Sequence, residues 1–427
     1  MTETPRMSSS PWAGATIYLV GTSGFPNYGD ELITATWLRY LATVAPEADV
    51  WVDCASPGPA TVLLGGLHPR VRFVDTLWRL CWEAPSDDPW EVASWVQHAV
   101  RFPGHAPRWV QAIELLSSAD IVHVIGGGYV NAIWPRHVGL VAGAAAAVRR
   151  SGGRAVMTGQ GLHPAAPQAA SLLRKLSERF DVVDVRDEPS AELLDAAGVE
   201  NVGKTVDDAF LGLGTHLHSK EEDLPEFMLC IQSDLIEVPK PALASLVLDT
   251  LRSWGATPDN IGFVEGIPRV DREVYGLIEH ELPDVRFFPF SDIWRDGLPV
   301  RAGQKWLSTR FHLHMVAASA GASGVAVSVR PDYYATKHRS LIDLGSSWTM
   351  TTDVTDVPEA PTGGGYAPEL LAKYRETKLE LARRIYTPPV RPEPEPPAEE
   401  PPAPVVEGNG SKPRGLRGMA SLWGALS

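Results

Sequence analysis

Ala15-Thr16-Ile17-Tyr18-Leu19-Val20 runs into Gly21-Thr22-Ser23-Gly24-Phe25-Pro26-Asn27-Tyr28-Gly29-Asp30-Glu31, and Leu32, Ile33, Trp37, Leu38 and Leu41 follow at helical spacing. An unbroken apolar run predicts a strand buried on both faces, the habit of parallel sheets. The glycine-containing polar loop and the periodic stretch after it predict a turn and a helix. The same order of strand, loop and helix recurs. Asp120-Ile121-Val122-His123-Val124-Ile125 leads into Gly126-Gly127-Gly128-Tyr129-Val130-Asn131, with an alanine-rich helix at 138–150. A strand at 154–158 ends in Gly159-Gln160-Gly161, and one at 181–185 ends in Arg186-Asp187 before a helix opened by Glu188-Pro189-Ser190. This repetition predicts an α/β fold with a doubly wound parallel sheet whose loops gather on one edge.

A second series starts after the polar stretch 212–225. Phe227-Met228-Leu229-Cys230-Ile231 is a strand, followed by a helix at 242–254, a strand at 260–265, a helix at 272–279 and a strand at 285–288. Then comes Trp306-Leu307-Ser308-Thr309-Arg310-Phe311-His312-Leu313-His314, a small-residue helical pattern, and an apolar strand at 324–329. At 427 residues the chain exceeds one ordinary domain. The expected division is a flexible lead at 1–13, a first domain at 14–211, a linker at 212–225, and a second domain at 226–386 closed by a charged amphipathic helix. A Pro- and Glu-rich tail at 387–427 is expected to be disordered. Residues 78–107 read as irregular, with a helix near 90–100. Their clustered tryptophans Trp78, Trp82, Trp90 and Trp95, with Trp109 just beyond, fit either core packing or an apolar groove.

Composition narrows the function classes. A formal net charge of −14 argues against nucleic acid and against anionic membrane surfaces, which need a basic face. No apolar run is long enough to span a bilayer, and the first residues lack a secretory pattern, so a cytoplasmic protein with at most peripheral membrane contact is expected. The three cysteines are scattered and form no CxxC pair, which suits reduced structural thiols. The His and carboxylate spacings form no metal-ligand set, so no metal is expected.

Each strand end has a structural reading beside a functional one. Ser308 or Thr309 caps the following helix with Arg310 and His312 as solvated neighbours, or the cation and imidazole form a site at a strand's carboxyl end. Asp30 and Glu31 are helix-dipole caps, or groups of a loop that cradles an anion; the loop is neither a P-loop nor a GxGxxG fingerprint. The glycine triplet serves a turn or the close approach of a ligand.

Taken together, Asn27-x-Gly29-Asp30-Glu31, the glycines 126–128, Gly159-Gln160-Gly161, Arg186-Asp187 with Ser190, and Ser308-x-Arg310-x-His312 stand in an order and spacing that resembles the polysaccharide pyruvyltransferase family. The resemblance covers roughly residues 15–350. It implies two Rossmann-like domains facing across a cleft, a GT-B-like arrangement. It also implies phosphoenolpyruvate as donor substrate with no further cofactor, and a saccharide acceptor, free or linked to a lipid or nucleotide. Arg310 and His312 match the family's SxRxH motif and Arg186 its RD motif. The chain departs from the family at His163-Pro164, at Asp207-Asp208, and at Arg330-Pro331-Asp332-Tyr333 with Lys337 further on.

The resemblance sets the chemical expectations. A donor carrying carboxylate and phosphate calls for arginine forks, supplied by Arg186 and Arg310 from opposite domains. His312 is the expected general acid, since imidazole titrates near neutrality, and Asp30 the expected base, with Glu31 the other choice. Asn27, Gly29, Glu31, Gly126, Gly127, Gly128, Gln160, Ser308 and Lys337 are the expected substrate-binding residues, with Gln160 and the glycines shaping the cleft. His314 is expected to be structural. The competing readings are a glycosyltransferase using a nucleotide-sugar donor and a noncatalytic saccharide-binding scaffold.

Overall fold

The computed structural model describes residues 11–166, 168–200 and 202–388. Residues 1–10 and the Pro/Glu-rich segment from 389 onward lie outside the described residues, and with them most of the expected lead and tail. Trp12 is buried, so the packed chain begins inside the stretch read as a lead.

The strands fall into two all-parallel sheets. The first contains β1 (Thr16–Val20), β2 (Asp49–Asp53), β3 (Val71–Val74), β4 (Ile121–Val124), β5 (Arg154–Gln160), β6 (Phe180–Val185) and β7 (Val202–Lys204), in the order β3-β2-β1-β4-β5-β6-β7. The second contains β8 (Phe227–Cys230), β9 (Ile261–Val264), β10 (Arg286–Phe288), β11 (Lys305–Ser308), β12 (Ser323–Val327) and β13 (Thr349–Thr351), in the order β10-β9-β8-β11-β12-β13. Each order reverses direction beside its first strand, between β1 and β4 and between β8 and β11. Open parallel sheets leave a crevice at such a reversal, outside the carboxyl ends of the strands. The two sheets are therefore Rossmann-like, and the carboxyl edges of both border one cavity, a GT-B-like pairing.

Burial explains the elements. All four residues of β4 and all five of β12 are buried, as expected for strands covered on both faces. Helix α1 (Tyr28–Val44) starts at Asn27, whose side chain accepts a hydrogen bond from the Gly29 N–H at 3.2 Å, with Asp30 and Glu31 in its first turn. Helix α2 (Phe311–Ser319) starts after Arg310, whose N–H donates to Ser308 Oγ at 3.1 Å. Ser308 is fully buried there, closing the turn out of β11.

Two stretches differ from expectation. Residues 78–107 are more regular than they read, with helices at Thr76–Glu83 and Pro89–Arg101. The charged helix α3 (Pro368–Ile385) follows the second sheet in the chain and packs back on the first, as an amphipathic helix can, but the face it buries carries a lysine among Leu381, Ala382 and Ile385. Its Lys378 is completely buried, with Nζ 2.9 Å from Asp184 Oδ2 and 2.7 Å from Asp208 Oδ1. Just beyond it, Tyr386 Oη lies 2.7 Å from Nδ1 of the buried His123 on β4. One apolar core runs from Ile17 and Trp37 through Met228 and Trp306 to Ile385, so the described residues pack as one compact unit.

Candidate functional site

The cavity between the carboxyl edges measures about 480 Å³. From the first sheet come Asn27, Gly29 and Asp30 at the start of α1, Gly128 after β4, and Arg186 after β6. From the second come Asp234 after β8, Arg310 and His312 after β11, and Tyr333, Tyr334 and Lys337 after β12. The catalytic set expected from the sequence, Asp30, Arg186, Arg310 and His312, thus meets on one wall system.

Arg186 is buried, and its Nη1 donates to Asp207 Oδ2 at 2.7 Å. Its guanidinium lies 4.6 Å from the centre of the Phe311 ring, a contact across the two sheets. Burial works against the charge, but Asp207 and Asp187 more than offset it and raise the pKa. Nε is buried without a hydrogen-bond partner. Gly128 explains how close the other side of the fork comes. A Cβ added at Gly128 would lie 2.8 Å from Arg186 Nη2 and 3.0 Å from Lys337 Nζ, so any side chain there would fill the space between the two cations.

Lys337 makes no ion pair among the described residues; its Nζ sits 3.7 Å from the Tyr333 ring centre. Burial, followed by the neighbouring Arg186 charge, pushes its pKa well below the usual lysine value. Asp30 is shifted in the opposite sense: burial raises its pKa against the pull of His312 and Lys337. Asn27 Nδ2 donates to Asp30 Oδ2 at 2.9 Å and fixes the carboxyl in the cavity wall.

The His312 ring lies against the backbone of Gly29, where a Cβ would come within 1.8 Å of Nδ1. Its Nε2 is 3.5 Å from Asp207 Oδ1 and has no hydrogen-bond partner. Burial disfavours the Asp207 charge, yet His312 and Arg186 together hold that carboxyl well below the usual range. Arg310 differs from Arg186. Its Nη2 donates to both Asp234 Oδ1, at 2.7 Å, and Asp271 Oδ1, and Nε reaches Asp271 Oδ2 at 3.4 Å. Two carboxylates therefore occupy most of its fork.

The remaining expected site residues sit behind the wall. Glu31 is fully buried, and its Oε1 accepts from the Gly24 N–H at 2.7 Å, tying down the loop after β1. Gly126 packs on Asp208, which accepts from its N–H at 2.8 Å, and Gly127 makes a bridge to Gln160. Gln160 Nε2 donates to the Ile125 carbonyl at 2.7 Å, inside the sheet. Ser308 closes the turn before α2. His314 stacks on Trp348 at 4.2 Å and meets His338 Nδ1 at 3.1 Å, a buried aromatic column away from the cavity. Sequence reasoning passed over Asp207 as a site residue, and with it Asp234, Asp271 and Tyr334. The usable signal was an acidic residue one to a few positions after a predicted strand, a pattern too common to single out.

Facing parallel sheets with Arg186, Arg310 and Lys337 lining a cavity at their carboxyl edges define a Rossmann-pair α/β protein whose cleft carries cations. The family assignment follows. The model of the polysaccharide pyruvyl transferase family matches residues 27–331, and the chain belongs to that family. It is accordingly an enzyme that transfers a pyruvyl unit from phosphoenolpyruvate to a saccharide. No curated protein gave a significant match. Among solved structures, the S. aureus MnaA–UDP co-structure is 13% identical, covering 87% of this chain and 90% of that one at a TM-score of 0.47. The UDP-GlcNAc 2-epimerase from Neisseria meningitidis bound to UDP-GlcNAc is 11% identical, with 87% and 93% covered and a TM-score of 0.47. The Methanocaldococcus jannaschii UDP-GlcNAc 2-epimerase is 11% identical, with 85% and 92% covered and a TM-score of 0.46. At such identities and scores the likeness carries no functional information.

Proposed function

We propose that phosphoenolpyruvate is held at the corner where Arg186 and Lys337 converge on Gly128, with His312 as general acid and Asp30 as general base. The observation that carries this reading is the pair of cations whose free N–H groups meet at a residue without a side chain. A phosphate or carboxylate placed there accepts from Arg186 Nη2 and Lys337 Nζ, and binding an anion relieves the repulsion that otherwise favours neutral Lys337. Asp207 acts as a positioning residue: it pairs with Arg186 and supplies a counter-charge for a protonated His312. Arg310, gripped by Asp234 and Asp271, orients the start of α2 and offers its remaining N–H groups to the donor.

The chemistry balances with these groups. His312 delivers a proton to the enol methylene, leaving an oxocarbenium-like carbon. A saccharide hydroxyl adds to that carbon while Asp30 takes its proton. The carbon–oxygen bond to phosphate breaks, and a second hydroxyl of the same saccharide adds to close the ketal, its proton leaving with phosphate. The acceptor is a saccharide or its lipid- or nucleotide-linked precursor. Reaction in the cytoplasm, free or at the inner membrane face, agrees with three buried cysteines that form no disulfide. No helix among the described residues is long and apolar enough to cross a membrane.

The test is donor binding and donor-dependent phosphate release. Lys337→Met and Arg186→Lys are each expected to raise the KM for phosphoenolpyruvate about 10- to 100-fold, as loss of a charge-assisted hydrogen bond predicts. A donor KM unchanged in both variants would move the donor away from this corner.

A further inference from the structure

The cavity also carries an aromatic lining that the donor reading does not use. Among the described residues six large apolar side chains are exposed, and two of them, Phe25 at 65% and Trp82 at 58%, line this one cavity. Single exposed apolar residues are ordinary, but two lining one cavity, with Trp82 and the half-buried Trp134 both against the His137 ring, form a patch of the kind that marks a binding surface.

The two tryptophans are held by their neighbours. Trp82 lies at the end of the helix Thr76–Glu83, where Arg136 Nη1 donates to the carbonyls of Cys81 at 3.1 Å, Trp82 at 3.1 Å and Ala84 at 2.8 Å. The Arg136 guanidinium lies 6.0 Å from the Trp82 ring centre, and its Nε binds Asp87. Its charge is thus engaged in capping the helix. Trp134 stacks on His137 at 6.0 Å and an interplanar angle of 8°. His137 Nδ1 is 3.0 Å from the Tyr129 carbonyl, and burial pushes its pKa down to about 4, so the ring is neutral. Trp134 also lies 6.1 Å from the Tyr333 ring, over which Lys337 Nζ sits at 3.7 Å, so the aromatic lining runs up to the cation corner.

We propose that Phe25, Trp82 and Trp134 form the acceptor subsite, a shelf on which a neutral hexopyranose ring lies with its C–H face against the aromatic rings. Flat aromatic faces suit the axial C–H groups of a pyranose and leave its hydroxyls free at the rim. The assignment rests on the donor reading above only in the direction it gives the hydroxyls, toward Asp30 and His312.

The test is saturation-transfer NMR on the whole protein, with methyl glucopyranoside, galactopyranoside and mannopyranoside as probes. Irradiating the aromatic protons is expected to transfer magnetisation to the C–H protons of one ring face in at least one probe. Trp82→Ala and Phe25→Ala should each weaken that transfer about tenfold, the scale of losing an aromatic anchor, while Trp82→Phe retains about half. Equal transfer in the wild type and Trp82→Ala overturns the shelf, as does the absence of aromatic transfer to all three probes. Broadening of the phosphoenolpyruvate ³¹P line, measured in parallel on Lys337→Met, reports the donor corner alone, so failure of either reading is seen separately.

Discussion

Asp207 and Asp208 are chain neighbours, and so are Asp30 and Glu31, yet in each pair the first carboxyl serves the cavity and the second serves the interior. Asp207 belongs to a network with open positions: His312 Nε2 and Arg186 Nε have no hydrogen-bond partners. Asp208 is saturated. It pairs with Lys378 at 2.7 Å and accepts from Trp37 Nε1 at 2.8 Å, from the Gly126 N–H at 2.8 Å and from Thr158 Oγ1 at 2.5 Å. A buried polar group left without its bonds is costly, so the completed shell of Asp208 marks a group kept for the fold, whereas the network of Asp207 is left incomplete beside the cavity. Adjacent residues at a helix start or turn point in different directions, which lets one dipeptide serve both.

The sharpest way to break this comparison is to remove one group from each network and ask which property falls. His312→Ala should lower kcat by about 10³–10⁴-fold, or about 4–5.5 kcal/mol, the upper part of what a positioned general acid contributes. Its melting transition should stay close to that of the wild type, because the ring is at the cavity surface. Single-turnover phosphate release measures the first, calorimetry the second. A variant that keeps wild-type turnover removes His312 from the chemistry.

On the closed side, Lys378→Met should destabilise the fold by about 3–5 kcal/mol, since it leaves Asp184 and Asp208 facing each other without their cation. The sign with pH follows from the shifts. Asp208 is held below the usual carboxylate range: burial works against its charge, but Lys378 more than offsets it. Its contribution is therefore present above the unfolded carboxylate value and lost as pH falls through the lower folded one. Lys378 is raised, so its own share is present below the unfolded lysine value and lost only in strong alkali. Urea unfolding should thus show the wild-type advantage at neutral pH shrinking on acidification. A pH-independent difference would mean that packing of the lysine stem, and not its charge, holds α3 in place.

Arg310 is an intermediate case, and its replacement sharpens the boundary. Arg310→Lys keeps one positive charge but cannot reach Asp234 and Asp271 with one planar fork. A loss of about 10- to 100-fold in kcat/KM is expected, on the scale of one to two charged hydrogen bonds. If the loss lies in kcat with donor KM unchanged, Arg310 positions α2 and His312. A loss confined to donor KM would make it a direct donor ligand.

The sequence made the sheets legible because their strands are unbroken apolar runs ended by polar loops, as β4 and β12 show. It also placed Asp30, Arg186, Arg310 and His312 together, because all four stand at strand ends or helix starts, and a parallel fold brings those to one edge. Side-chain direction was not legible. Gln160 ends β5 as a site residue would, but a bulged register between β5 and β6 turns it toward the Ile125 carbonyl and away from the cavity. Nor was the burial of a lysine on α3. Its pattern reads as a charged amphipathic helix able to pack back across the domain junction, but nothing in it singles out Lys378, which is fully buried on carboxylates 170 and 194 residues away in the chain. Pairings of that separation leave no local periodicity to read.

The effect that is smallest over any single pH unit concerns the other acidic pair. Glu31 was an expected ligand of the substrate, and Asp30 beside it the expected base; the structure separates them by burial alone. Burial pushes the Glu31 pKa up to about 8, with the Gly24 N–H opposing the shift. Its Oε2 has no hydrogen-bond partner, which favours the protonated form. A carboxyl whose folded pKa is raised stabilises the protein fully below the unfolded value, and that contribution disappears as pH rises through the folded one. Stability should therefore decline between roughly pH 4.5 and pH 8 by as much as about 1.4 kcal/mol per unit on account of this group. Glu31→Gln preserves the acceptor for Gly24 and removes the titration. Subtracting its urea-unfolding free energies from those of the wild type at several pH values isolates the slope from every other group. Parallel profiles would show that Glu31 is ionised in the folded protein and that its burial does not keep it protonated.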